Sequence, residues 1–157
     1  MKLFTLTTWH SSQQHVFARF QQHSDKEVLA AAKFSGVHEL VTSLPEGYDT
    51  ILDLNASALS TGQKQLIGFA RAVFRNPSIV LLDEPNAHLD IEGNKIFEKL
   101  LYRLKECQIT SVIISHRSNV IDHVDYYLEI KYGQTAIFAP TAELRKANNL
   151  NQAKQSV

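Results

Sequence analysis

Two groups of side chains have the types and spacing to do chemistry: Asp83-Glu84, directly behind the aliphatic run Ile79-Val80-Leu81-Leu82, and the helix start Ser60-Thr61-Gly62-Gln63. A buried strand that delivers neighbouring carboxylates at its C-terminal end can hold a divalent cation with one and handle an attacking water with the other. Phosphoryl transfer uses that division of labour. Ser60 can cap a helix, and Gln63 stands at the capping-box position three residues on. The first free N–H groups of that helix then point outward with positive dipole character, which suits an anion. Each feature also has an ordinary reading, as a capped surface helix and a solvated turn, and their combination is what favours nucleotide chemistry.

The elements that must position these groups are legible from caps and periodicity. Ser24-Asp25-Lys26-Glu27 is a capping box that opens a helix through Ala32, with Gly36 placed to stop it, and a short helix fits Val37–Thr42. From Ser60 a helix runs to about Phe74, with Leu66, Ile67, Ala70 and Phe74 on one face, and Asn76-Pro77 ends it. A strand over 78–82 follows. A helix from about Ile91 to Lys105, with Ile96, Phe97, Leu100, Leu101 and Leu104 on one stripe, connects it to a strand over 110–114. This predicts a βαβ unit. Asp90 reads as the N-cap of the connecting helix. Tyr126–Ile130 and Thr135–Phe138, separated by Lys131-Tyr132-Gly133-Gln134, read as a hairpin, with a short helix after Pro140 and a polar tail over 148–157.

Taken in order, these residues resemble the ATP-binding-cassette (ABC) ATPases. Leu59-Ser60-Thr61-Gly62-Gln63 is similar to the family's Leu-Ser-Gly-Gly-Gln signature, and Ile79 to Glu84 to its Walker B strand. Asn86-Ala87-His88-Leu89-Asp90 is similar to the D-loop. Ser115-His116-Arg117, behind the strand Thr110-Ser111-Val112-Ile113-Ile114, is similar to the switch-histidine motif. Upstream, Phe34-Ser35-Gly36-Val37-His38-Glu39-Leu40 and Leu44-Pro45-Glu46-Gly47-Tyr48-Asp49-Thr50 resemble the helical subdomain of exporters, most of all type I protein-secretion ATPases. The resemblance implies an α/β, partial P-loop NTPase fold: an unassigned segment 1–20, a helical subdomain 21–58, the C-terminal part of the ATPase core over 59–147, and a tail 148–157. It also implies ATP and Mg²⁺ as cofactors. The implied partners are a second ABC ATPase domain, in a head-to-tail dimer, and a transmembrane exporter domain, which would place the complete protein's ATPase on the cytoplasmic face of the inner membrane. By the same resemblance Asp83 holds Mg²⁺ through water, Glu84 and His116 are catalytic, Asp90 belongs to the D-loop, and Ser60, Thr61, Gly62 and Gln63 face the partner's ATP.

The sequence departs from that family in four respects. No Gly-x-x-x-x-Gly-Lys-Ser/Thr loop occurs, and Gln13 and Gln14 lack the strand that should precede a glutamine loop. Residues 51–58 carry no glycine where the family's segment is glycine-rich, and Thr61 replaces a signature glycine, adding a β-branched side chain where backbone should approach phosphate. A truncated domain, inactive by itself, is the simplest account. The alternative is a non-hydrolysing interaction module that offers its signature to a complete ABC subunit.

Composition narrows the remaining classes. Sixteen Lys and Arg balance sixteen Asp and Glu, so there is no net field to concentrate nucleic acid, and no nucleic-acid partner is expected. The apolar runs are strand-sized, well short of the ~20 residues of a membrane helix. Cys107 is alone, so no internal disulfide forms, and a packing role is expected of it. The histidines at 10, 15, 23, 38, 88 and 123 show no paired ligand spacing, which argues against zinc.

Overall fold

The structure, a computed structural model, describes residues 14–15, 24–52 and 59–145. The Phe17–Phe20 segment, most of the glycine-free stretch and the polar tail lie outside the described residues. The chain divides into two compact units, Met1–Ile113 and Ile114–Val157.

In the first unit the helices form where their caps lie. Helix α1 covers Asp25–Ser35, three residues beyond the expected end, because the left-handed residue Gly36 (φ +82°) stops it there and returns its N–H to the carbonyls of Ala32 and Lys33. Arg103, from a helix 70 positions away, donates to the carbonyls of Lys33 (3.0 Å) and Phe34 (2.6 Å), so a guanidinium meets the last carbonyls and negative dipole end of α1. Helix α2 is His38–Thr42 and is followed by a 3₁₀ turn, Gly47–Asp49. There burial pushes the Tyr48 phenol above its ordinary pKa, and its oxygen lies 2.8 Å from Nδ1 of His38. Two short strands, β1 (Gln14–His15) and β2 (Ile51–Leu52), pair antiparallel.

Helix α3 (Thr61–Ala72), strand β3 (Ile79–Asp83), helix α4 (Ile91–Glu106) and strand β4 (Thr110–Ile114) follow in order. β3 and β4 are neighbours in one sheet, and the amide of Thr110 donates to the carbonyl of Ser78 (3.1 Å). That bond joins the N-terminal ends of the two strands, so they run parallel across α4 as the βαβ pattern requires. Helices α1, α3 and α4 pack on one another around Leu66, Ile67, Ala70, Leu100 and Leu104, with Phe69 stacked on Phe97 at 5.5 Å. Each buried Leu or Ile among them contributes about 1.5–3 kcal/mol, and this helical core holds the two chemistry-bearing turns together.

β3 differs from expectation: it is buried on one face only. Val80 and Leu82 face the core, whereas Ile79 (60 % exposed) and Leu81 (44 %) lie on the other face with Asp83. Period-2 alternation sends successive side chains to opposite faces, and among the described residues nothing covers the second one. Cys107 is also exposed, because it lies in the turn after α4, past the helix's buried stripe, and so does not pack.

The second unit holds a 3₁₀ segment Ser118–His123 and an antiparallel hairpin, β5 (Tyr126–Lys131) and β6 (Gln134–Pro140), with a bulge at Glu129/Ile130. Its loop is two residues rather than four. Tyr132 and Gly133 both take positive φ (51° and 73°), the twist-matched geometry that lets Lys131 pair with Gln134. A short helix spans 141–145. Among the described residues no helix is long and apolar enough to cross a membrane.

Candidate functional site

The turn at Ser60 is a closed capping box. Ser60 Oγ accepts the Gln63 amide at 3.1 Å while Gln63 Oε1 accepts the Ser60 amide at 2.9 Å. Ser60 and Thr61 are exposed, and the box consumes only one of the first helical N–H groups. The remaining donors lie at the positive end of the dipole of this 12-residue helix, a geometry that suits an anion.

That turn packs against the segment following β3. A Cβ built on Gly62 would lie 2.7 Å from the His88 carbonyl oxygen, so the close approach that demands a glycine here is to the chain's own 86–90 segment. One turn further on, Gln65 Nε2 donates to the Glu84 carbonyl at 2.7 Å. The sequence reading did not single out Gln65, because its acceptor is a backbone atom 19 residues away and leaves no pattern in the sequence.

Asp83 ends β3 exposed, and Glu84 bends the chain away from the strand direction with φ +45°, a left-handed conformation that costs a non-glycine residue about 1 kcal/mol or more. The two carboxylates therefore do not continue a common strand geometry: Glu84 Oε1 is shielded from solvent, unlike the exposed Asp83 side chain. Behind them Pro85 and Asn86 are buried. Asp90 caps α4 as expected, its Oδ1 accepting the Gly93 amide at 2.7 Å. Asn94 closes the other side of this segment, donating to the carbonyls of Leu89 (3.2 Å) and Asp90 (2.8 Å). The Ser60–Gln63 turn and the Glu84–Asp90 segment are thus held together by the fit of Gly62 on the His88 carbonyl and by the bond from Gln65 to the Glu84 carbonyl. His116 lies in the bend after β4 in the second unit, exposed.

Among the described residues no three His, Cys, Asp or Glu side chains converge as a metal-ligand group. A Mg²⁺ bound by one carboxylate, water and substrate phosphates needs no such cluster, and the exposed Asp83 at a strand's C-terminal end fits that mode.

The family model described as ABC transporter matches residues 3–87. An uncharacterized ABC transporter ATP-binding protein, YfiC of Bacillus subtilis, is 45% identical over 111 residues, 71% of this chain and 18% of the relative. The type I secretion system ATP-binding protein PrsD of Rhizobium meliloti is 33% identical over 127 residues, 80% of this chain and 22% of the relative. A solved bacterial Atm1-family ABC exporter with ATP bound superposes with a TM-score of 0.68 at 29% identity, covering 85% of this chain and 24% of that one. The chain therefore spans about a fifth of the length of these relatives.

Proposed function

The chain belongs to the ABC transporter family, and we propose that it carries the signature-to-switch part of an exporter's ATPase domain, coupling ATP binding and hydrolysis to export in the complete protein. In this reading residues 21–58 are the helical subdomain and 59–147 the accompanying part of the α/β core. The observation that carries it is the capped, anion-ready turn at Ser60 packed against the segment that follows Asp83-Glu84. Asp83 holds Mg²⁺ through water, Glu84 orients the attacking water, His116 contacts the γ-phosphate and Asp90 serves the D-loop. Ser60, Thr61, Gly62 and Gln63 close over the ATP of a second, head-to-tail ATPase domain. Mg²⁺, when bound, neutralises charge on the transferring phosphoryl group. A transmembrane exporter domain is the remaining partner, which places the ATPase at the cytoplasmic face of the inner membrane. The likeness to PrsD and the Leu44–Thr50 segment support type I protein secretion as the narrower reading.

In this reading the 157-residue chain by itself does not turn over ATP. Lacking a lysine-bearing phosphate loop, it forgoes about three charge-assisted bonds worth roughly 1.5–3 kcal/mol each, about three to six decades of affinity. The same absence, with Thr61 in a glycine position, also suits a non-hydrolysing module acting on a complete subunit. Titration calorimetry of the chain with Mg-ATP tests the common claim: no binding below the millimolar range is expected, and a low-micromolar dissociation constant would overturn it.

A further inference from the structure

We propose that Gln65 is a positioning residue that ties the signature helix to the Walker B glutamate of the same chain. The Glu84 carbonyl sits at the left-handed bend where β3 ends, and it accepts two donors: the Ala87 amide (3.2 Å), which closes the turn, and Gln65 Nε2 (2.7 Å), which reaches from α3. The second bond comes from outside the turn. It therefore fixes the bend, and with it the direction in which the Glu84 side chain leaves the backbone, to the position of α3. The amide's orientation follows from its acceptor, since only an NH₂ group serves a carbonyl, while Gln65 Oε1 is buried with no partner among the described residues. Gly62 adds a stop one turn earlier, where a Cβ would meet the His88 carbonyl oxygen at 2.7 Å. With contacts at both turns, α3 cannot shift against the Glu84–Asp90 segment without breaking one of them. A phosphate drawing on the Ser60 turn then moves the acid at the end of β3 with it.

Calling Glu84 the water-orienting carboxylate rests on the function proposed above; the tether is read in the free 157-residue chain and stands or fails separately. Glu84-Pro85 is the one Glu-Pro pair in the sequence, so carbonyl-¹³C glutamate combined with ¹⁵N proline gives a single NMR correlation for the Glu84 carbonyl. Gln65→Leu should move that signal upfield, as expected for a carbonyl that has lost a donor. Gln65→Glu keeps the shape and removes the donor at neutral pH; on acidification the introduced carboxyl regains an O–H, so its signal should return toward the wild-type position while that of Gln65→Leu does not. The difference between the two variants at each pH is the readout. A folded Gln65→Leu chain whose signal coincides with wild type, or Gln65→Glu tracking Gln65→Leu at every pH, overturns the tether. If Gln65→Leu fails to fold by circular dichroism, the acid-to-neutral change in Gln65→Glu relative to wild type decides alone.

Discussion

Replacing Gly62 by alanine isolates the contact between the signature turn and the 86–90 segment. The added Cβ would meet the His88 carbonyl oxygen at 2.7 Å, closer than real Cβ contacts come, and its neighbour is backbone rather than a flexible side chain tip. Overpacking of this kind costs about 1–3 kcal/mol. Against it stands the gain of about 0.5–1 kcal/mol from replacing glycine by alanine in a helix. Gly68, six residues on in α3, has nothing within 4 Å of its built Cβ, so Gly68→Ala takes the helix gain without the clash. The helix contribution is common to both variants, so the difference between them is the clash itself, about 1–3 kcal/mol. At the urea dependence usual for small proteins this separates the two midpoints by about 1 M, with Gly68→Ala above wild type and Gly62→Ala below. Urea denaturation followed by far-UV circular dichroism measures both. A Gly62→Ala chain as stable as Gly68→Ala would refute the packing argument and leave phosphate approach as the sole demand on that glycine.

Further outcomes follow from other contacts. Asp90→Ala should destabilise the chain by about 1 kcal/mol through loss of the α4 cap, with Asp90→Asn largely restoring it in the same denaturation assay. The uncovered face of Ile79, Leu81 and Val112 should drive self-association at tens of micromolar, and Ile79→Thr with Val112→Thr should lower it by light scattering; monodisperse wild type would contradict this. Burial raises the Tyr48 pKa, so the fold favours the neutral phenol. Its contribution is fully present below the ordinary value of about 10 and is lost as pH rises through the raised value, so Tyr48→Phe should flatten the alkaline fall in stability.

Caps and apolar stripes made much of this fold legible. Ser60 with Gln63, Asp90 as an N-cap and the stripe on α4 are local patterns whose spacing is dictated by the helix repeat, and the structure realises each of them. Non-local pairing outside the βαβ unit was the part that could not be read. The β1–β2 ladder joins Gln14 to Leu52, and nothing in either short segment names the other. The 3₁₀ segment Ser118–His123 carries no periodic signal. At the site, the residue types of Asp83 and Glu84 were evident, but the left-handed bend at Glu84 and its bond from Gln65 depend on how α3 packs, which is a tertiary property. Gly62 illustrates the same limit: its presence suggested phosphate approach, and the structure adds the His88 carbonyl as a second reason for it.

The central claim is that this chain can close over another subunit's ATP through its signature turn while holding none at its own Walker B acids. Sedimentation with a complete, hydrolysis-deficient ABC subunit, with and without ATP, tests it through two substitutions. Ser60→Arg replaces the helix cap where phosphate approaches and should abolish ATP-dependent association. Glu84→Gln should leave that association nearly unchanged. If Glu84→Gln weakens association as much as Ser60→Arg does, the chain contains a working nucleotide site of its own and the proposed asymmetry is wrong.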